Sequence, residues 1–318
     1  MHKENACISI DVDTLSSIYK GLGCTRPGGY TYIELRTGLE NLAAFFDKWN
    51  IKTTLFMVGN DFKLAANQAH ILEIHKADHE IANHSMSHPQ GFRWLSPQEK
   101  EKEIFSMGEI CRQTIGRAPV GFRSPGWNID DATIPFLKKH GYLYDSSIFP
   151  TSIMPVMKYA HWQSMSKQDK VDRTTMGQMN YMFAPIKPYH TSPDSLSKIG
   201  NNGLIEFPIT VTKKLRIPFF ATTSLFSGSM INRLIYHQIC KHQIPIHFQM
   251  HLSDFVDYSL PELSDQMPAT GSGVRLPQAL HTPLTKKLKL FGEIIELIHS
   301  DYELLTLENW AKRICDEE

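Results

Sequence analysis

Short apolar runs alternate with helix-period segments along most of this chain, and the runs end in clusters of polar residues. The first run, Cys7-Ile8-Ser9-Ile10, ends in Asp11. Leu35, Leu39, Leu42, Phe45, Phe46 and Trp49 then recur at the spacing of an amphipathic helix. Thr53 to Val58 reads as a strand closed by Gly59, and Leu64, Ile71, Leu72 and Ile74 as a helix. Glu80-Ile81-Ala82 is a short strand ending near His84. Ser96 to Glu99 forms a capping box with Pro97 at the first helical position, which starts a helix to about Ile115. Pro119 to Arg123 is the next strand, Asp130 to His140 a helix stopped by Gly141, and Tyr142 to Asp145 a strand. The alternation resumes with Leu204 to Thr212 as strand, Met230 to Lys241 as helix and Ile244 to Met250 as strand. It ends with helix Thr285 to His299, strand Glu303 to Leu307 and helix Leu307 to Cys315. Repeated strand–helix units of this kind, about eight strands in all, require a parallel sheet covered by helices, open or closed into a barrel. No repeat or linker divides the chain, so residues 1–318 read as one α/β domain.

Residues 146–203 break the rhythm. They are rich in Met, Pro, Ser and Tyr without a period, which predicts a functional insertion or a lid. Its Tyr159, Trp162, Tyr181, Phe183 and Tyr189 suit either stacking on or covering a ligand at the strand ends, or a small core of their own. Lys plus Arg and Asp plus Glu both number 33. A balanced chain has no electrostatic footprint for nucleic acid. The cysteines Cys7, Cys24, Cys111, Cys240 and Cys315 are scattered and form no Cys-x-x-Cys, so free thiols are expected. The opening residues lack a secretory pattern, and no apolar run reaches about 18 residues. The expected place is therefore the cytoplasm, with the protein free or peripheral on a membrane.

In parallel strand–helix folds, functional groups gather at the C-terminal ends of the strands. His84 and His88 are four apart, and on a helical turn both imidazoles share one face, as in many transition-metal sites. Two surface histidines are the alternative. Asp13 would complete a His2-carboxylate set that leaves positions open for water and substrate. Asp11, two residues earlier on extended backbone, points the same way and could take a proton from water; a loop cap is its alternative. Arg123 could orient that base through two hydrogen bonds, or make an ordinary salt bridge. His251 could protonate a leaving group, or be a hydrogen-bonded core histidine.

The series Ile10-Asp11-Val12-Asp13, His84-Ser85-x-x-His88, Arg123-Ser124-Pro125, Tyr144-Asp145-Ser146-Ser147 and Met250-His251-Leu252 resembles the polysaccharide deacetylase family of carbohydrate esterases. The resemblance implies a distorted (β/α) barrel with one divalent metal, zinc above others, held by Asp13, His84 and His88. It implies Asp11 as base, His251 as acid, and Arg123 and Pro125 as the third motif. There the aromatic, Trp127, arrives one place late, which makes the Gly126 N–H the oxyanion donor. Asp145 stands where an acid tuning His251 is expected, and a strand-end Asp starting a turn is the equal alternative. The implied substrate is an N-acylated amino-sugar glycan. Ile10 to Thr14 resembles the branch that acts on undecaprenyl-phosphate-linked amino sugars at the inner membrane face. Lys213 to Phe220, mixing cations with large apolar groups, suits peripheral contact with such a membrane, or a loop whose apolar half packs inside. Soluble chitin-like or peptidoglycan-like oligosaccharides are the alternative substrate. A haloacid-dehalogenase-like phosphatase also uses Asp-x-Asp, but Leu15 stands where its motif wants Thr or Val, and paired histidines have no use there. A non-catalytic sugar-binding relic would not need both carboxylates and both histidines.

Overall fold

The computed structural model describes residues 3–21, 32–164, 177–201, 203–265, 267 and 278–317. In chain order the first elements are β1 (Asn5–Val12), α1 (Leu15–Gly21), α2 (Tyr32–Asp47), β2 (Thr54–Met57), α3 (Ala65–Lys76), β3 (Glu80–Asn83), α4 (Pro97–Ile115), β4 (Gly121–Phe122), α5 (Ile134–Lys139) and β5 (Tyr144–Asp145). Then come α6 (Met154–Ser164), β6 (Tyr189–Ser192), β7 (Ser195–Ile199), β8 (Ile205–Glu206), α7 (Ala221–Lys241) and β9 (Ile246–His251). The chain ends with α8 (Pro261–Ser264), α9 (Gln278–His281), α10 (Leu284–Asp301), β10 (Glu303–Leu304) and α11 (Leu307–Asp316).

The strands β9, β1, β2, β3, β4, β5 and β8 are parallel and curl into a half-barrel. β1 is the hub. It pairs with β9 from Ala6 to Asp11, with β10 at Asn5 and Ala6, and with β2 from Ser9 to Val12. Beyond β8, the Thr210 hydroxyl accepts the His247 N–H at 2.6 Å, which joins the two ends of the arc.

Side chains alternate across β1 as the two-residue strand period requires. Ala6, Ile8, Ile10 and Val12 join the outer core, against Leu35, Leu39, Leu42 and Phe46 of α2 and Phe291, Ile294 and Ile298 of α10. Cys7 faces the inner cluster instead, with Phe56, Ala82, Tyr144, Phe207 and the α11 residues Leu307, Trp310 and Ala311. Ser9, Asp11 and Asp13 follow Cys7 on that inner side. The buried Glu80 accepts from Thr54 Oγ1 (2.7 Å), Tyr144 Oη (2.6 Å) and the Glu308 N–H (2.9 Å), so it ties α11 into the sheet.

The capping box of α4 is present, and Gly116 ends the helix at φ 85°. Other elements differ from the sequence expectation. α1 begins directly after Thr14. Only Ile205 and Glu206 of the expected strand 204–212 join the sheet, because Pro208 cannot donate to a ladder. The helix expected from Met230 starts at Ala221 and kinks at Gly228 (φ 71°). The 130–140 segment is a 3-10 turn, Asp131–Thr133, followed by α5. The stretch 146–203 is no patternless lid: it holds α6 and a hairpin, β6–β7, whose β6 runs antiparallel to β8 and extends the sheet. Residues 165–176 and 202 of that stretch, and Cys24, lie outside the described residues. Its aromatics divide, with Tyr181 and Tyr189 buried and Tyr159, Trp162 and Phe183 exposed. The other four cysteines are free thiols. Among the described residues, no helix is long and apolar enough to cross a membrane.

β4 and β5 are only two residues long, and their pairing rests on a small residue. Gly121 sits opposite Tyr144, and a Cβ there would overlap the Tyr144 ring. Gly121→Ala is expected to cost about 1–3 kcal/mol of stability, the usual cost of overpacking, in urea denaturation. A wild-type midpoint would show that the two strands can part freely.

Candidate active site

The inner face of β1 delivers two carboxylates to one end of the half-barrel. Asp11 is buried and Asp13 half-buried. Behind them lies Arg123, fully buried, its guanidinium 4.0 Å above the Phe56 ring. Its Nε donates to the Ser146 carbonyl (2.9 Å), and Nη1 donates to Asp11 Oδ1 at 2.5 Å. Nη2 donates to Ser146 Oγ (2.9 Å), Ser9 Oγ (3.0 Å) and His247 Nε2 (2.9 Å). Burial and the Arg123 charge hold His247 well below the usual imidazole range, so its Nε2 can accept. The expected two-point clamp of Arg123 on Asp11 is therefore a one-point contact. Asp11 Oδ2 is taken by Gln249 Nε2 at 2.7 Å.

His84 and His88 converge with Asp13, but not through a helical turn. Residues 84–88 form a loop in which Ser85 (φ 67°) and His88 (φ 52°) are left-handed, a conformation costly for residues with a Cβ. Local hydrogen bonds hold it. Asn83 Oδ1 accepts the Ser85 N–H (2.7 Å), Ser85 Oγ accepts the His88 N–H (3.1 Å), and Glu103 accepts from Ser87 N and Oγ (2.8 Å each). The Arg123 carbonyl lies 2.8 Å from His84 Nδ1; the proton this places on Nδ1 leaves Nε2 as the ligand atom. His84 Nε2 and His88 Nε2 lie 3.5 and 3.1 Å from Asp13 Oδ1. These three buried atoms have no hydrogen-bond partner, and the group's ligand atoms all lie within 4.8 Å of one another. Orphaned nitrogen and oxygen atoms converging in this way fit a divalent cation. Burial opposes the charge on Asp13, but the His88 and His84 rings outweigh it and hold its carboxyl well below the usual carboxylate range.

His251 is Asp11's register partner across β1 and β9, and Gln249 Nε2 lies 3.3 Å from His251 Nε2. Gln249 thus touches both expected proton-transfer residues. Asp145 does not serve His251. Its carboxylate accepts from Ser147 Oγ (2.7 Å) and Ser147 N (3.2 Å) and shares a hydrogen bond with Glu206, its register partner on β8. The strand-end turn took the residue. The acid beside His251 is Asp254, which accepts the His251 N–H at 2.9 Å. Pro125, Gly126 and Trp127 form a 3-10 turn directly after Arg123 and Ser124, with Gly126 (φ 58°) and Trp127 (φ 54°) both left-handed. The Trp127 ring packs on Phe149 (5.0 Å) and Phe220 (6.1 Å) as part of the wall. Of the segment Lys213 to Phe220, Lys213, Lys214, Leu215 and Ile217 are exposed, while Pro218, Phe219 and Phe220 pack inside.

Residues 29–144 match the family model for polysaccharide deacetylase. Over that segment the chain is similar to the polysaccharide deacetylase family. It is 29% identical over 118 residues to a peptidoglycan deacetylase of Helicobacter pylori, covering 37% of this chain and 39% of that one. It is 30% identical over 132 residues to a peptidoglycan-N-acetylglucosamine deacetylase of Bacillus cereus, covering 36% and 60%. A peptidoglycan deacetylase-like protein of Gibberella zeae is 25% identical over 214 residues, covering 61% and 62%. The chain thus spans between about two fifths and three fifths of these relatives' lengths. The fold matches the crystal structure of a Mycobacterium smegmatis protein assigned provisionally as a polysaccharide deacetylase. That match has a TM-score of 0.60 at 17% identity and covers 100% of this chain and 92% of that one.

The Asp145–Glu206 pair makes stability pH-dependent. Burial raises Asp145 to about 6, and burial together with Asp145 pushes Glu206 well above the usual carboxylate range. The folded state keeps protons that an unfolded carboxyl releases near pH ~4. This contribution is therefore complete below about pH 4 and is lost as pH rises through about 6 and beyond. Glu206→Gln, still a donor to Asp145, is expected to flatten that decline in urea titrations across this range. An unchanged slope would assign the decline to other groups.

Proposed function

We propose that the protein is a metal-dependent hydrolase that removes an N-acyl group, acetyl or formyl, from an amino sugar of a glycan. The observation that carries this reading is the set of orphaned ligand atoms on Asp13, His84 and His88, two residues along the chain from a second carboxylate, Asp11, held by Arg123. The imidazole–carboxylate donor set suits zinc, which when bound would polarise the amide carbonyl and acidify a water. Asp11 takes the proton from the attacking water. Oδ1 accepts from Arg123 and Oδ2 from Gln249, and a carboxylate oxygen has room for a second hydrogen bond. Arg123 and Gln249 fix the direction of that base. His251, on the neighbouring strand, gives a proton to the departing amine. The Gly126 N–H, in the turn after Arg123, is the donor toward the developing oxyanion.

The names of the relatives point to N-acetylated glycans of the peptidoglycan kind as substrate. The exposed Lys213, Lys214 and Leu215 favour a second reading, an amino sugar carried on a polyprenyl phosphate at the cytoplasmic face of the inner membrane. Release of acetate and formate from lipid-linked N-acylhexosamines and from chitooligosaccharides, measured side by side, decides between them. Turnover of the soluble oligomers alone would overturn the lipid-linked reading.

The role assignment has its own test. Asp11→Asn is expected to retain bound zinc while losing roughly 10²–10⁴-fold in rate, the range for one proton-transfer group. His84→Ala is expected to lose both metal and turnover, by elemental analysis and kinetics. Full activity of Asp11→Asn would show that another group takes the proton. Metal binding without turnover by the wild type would leave a sugar-binding relic.

A further inference from the structure

Between Glu206 and Asp254 the sequence contains no acidic residue, although the whole chain balances its charges. The lysines and arginines of that stretch are Lys213, Lys214, Arg216, Arg233 and Lys241. In the fold the stretch supplies the loop 212–218 and the helix α7. These meet along a groove of about 330 Å³ whose lining includes Lys213, Lys214, Leu215, Ile231, Leu234 and His242. Lys213, Lys214 and His242 line the groove together, and Lys241 directly precedes His242 at the end of α7, so the cations gather at this groove.

Beside the cluster stand large apolar side chains in water. Leu215 is 68% exposed, Leu234 64% and Ile231 46%, and all three line the groove. The loop that presents Leu215 is fixed. Arg216 turns inward and donates to the carbonyls of Met182 (2.9 Å) and Ala184 (2.8 Å), Ser152 Oγ donates to the Leu215 carbonyl (2.6 Å), and Val211 bridges Pro218. Leu215 and its two lysines are thus held on the surface by bonds made elsewhere in the loop.

We propose that this face docks on an anionic phospholipid bilayer. Leu215, Ile231 and Leu234 enter the interface between headgroups and acyl chains, and Lys213, Lys214 and Lys241 lie against lipid phosphates. The charge pattern favours a bilayer over a second copy of the chain. A groove whose lining carries lysines and no carboxylate, paired with itself about a two-fold axis, sets cations against cations. An anionic membrane complements both halves of the patch at once. The face adjoins the candidate site through Phe220, which immediately precedes α7 and packs on the wall residue Trp127. The docking is independent of which glycan is the substrate.

The test is co-sedimentation of the whole protein with vesicles of phosphatidylcholine alone and of equal parts phosphatidylcholine and phosphatidylglycerol. Binding to the mixed vesicles, absent with phosphatidylcholine and weakened by salt, is expected. Lys213→Glu with Lys214→Glu should lower the partition coefficient by at least about 25-fold, or about fivefold for each lysine lost. Leu215→Ser with Leu234→Ser should release the protein from the same vesicles at unchanged net charge, with a circular dichroism spectrum like that of the wild type. Failure of the wild type to sediment with the mixed vesicles would overturn the proposal. So would binding that neither double variant weakens. A dimer in analytical ultracentrifugation that Leu215→Ser with Leu234→Ser dissociates would assign the face to a second copy instead.

Discussion

The buried charge of Arg123 is the constraint on which the site depends. A guanidinium taken wholly out of water is tolerated only when its donors are met and its charge is paired. The groups that meet it come from separate parts of the sheet: Ser9 and Asp11 from β1, Ser146 from the turn after β5, and His247 from β9, with the Phe56 ring of β2 below. Satisfying one side chain therefore requires four parallel strands in register. A slip of one residue in β1 would turn Ser9 and Asp11 to the outer core and leave the charge unpaired. The same residue reaches the Asp13–His84–His88 cluster through its main chain, since its carbonyl orients His84. Arg123 thus couples Asp11 to that cluster: its side chain aims the carboxylate, and its backbone aims an imidazole.

Much of this was legible in the sequence because it is local. Asp11 and Asp13 share a face by strand periodicity, and the polar clusters mark strand ends whatever the sheet order. What was not legible depends on pairs far apart in sequence. Asp11 meets Gln249 and Ser9 meets His247 only because β1 and β9 are neighbours. One signal was available. In Ile246-His247-Phe248-Gln249-Met250-His251, every second residue is polar inside an otherwise apolar strand, and all three polar residues meet the Arg123–Asp11 pair directly or through each other. The short edge hairpin β6–β7 escaped for another reason. Strands of four or five residues with only two residues buried in each carry too few apolar positions to stand out.

The matched segment and the site do not coincide, and the difference is informative. Residues 29–144 include His84, His88 and Arg123 but exclude Asp11, Asp13 and His251. Those three are brought to the segment by the pairing of β1 with β2 on one side and with β9 on the other. Three of these six residues thus enter the site through sheet geometry alone. The misassignment of Asp145 has the same origin. Order along the chain puts an acid after β5, but register pairs it with Glu206 of β8, and the two carboxyls share a proton away from His251. Asp254 reaches His251 instead because it caps the turn that His251 begins.

Two residues that bear a Cβ are left-handed in the loop carrying the histidines, and such backbone costs of order 1–3 kcal/mol at each position unless its surroundings impose it. Here they do. The Ser85 carbonyl accepts the Gly59 N–H at 3.0 Å and the Met86 carbonyl the Asn60 N–H at 2.8 Å, so the loop after β3 is laced to the turn after β2. Glu103 of α4 holds Ser87 from the other side. A helical turn would have placed the two imidazoles by periodicity at no backbone cost, but one behind the other on a helix face. The left-handed loop brings their ring centres to 5.1 Å at an interplanar angle of 62°, and both Nε2 atoms to the same carboxylate oxygen. The strain is held by hydrogen bonds that involve none of the ligand atoms. The convergence of Asp13, His84 and His88 is therefore a property of the folded chain, and a cation meets a site whose geometry β2, β3 and α4 have already set.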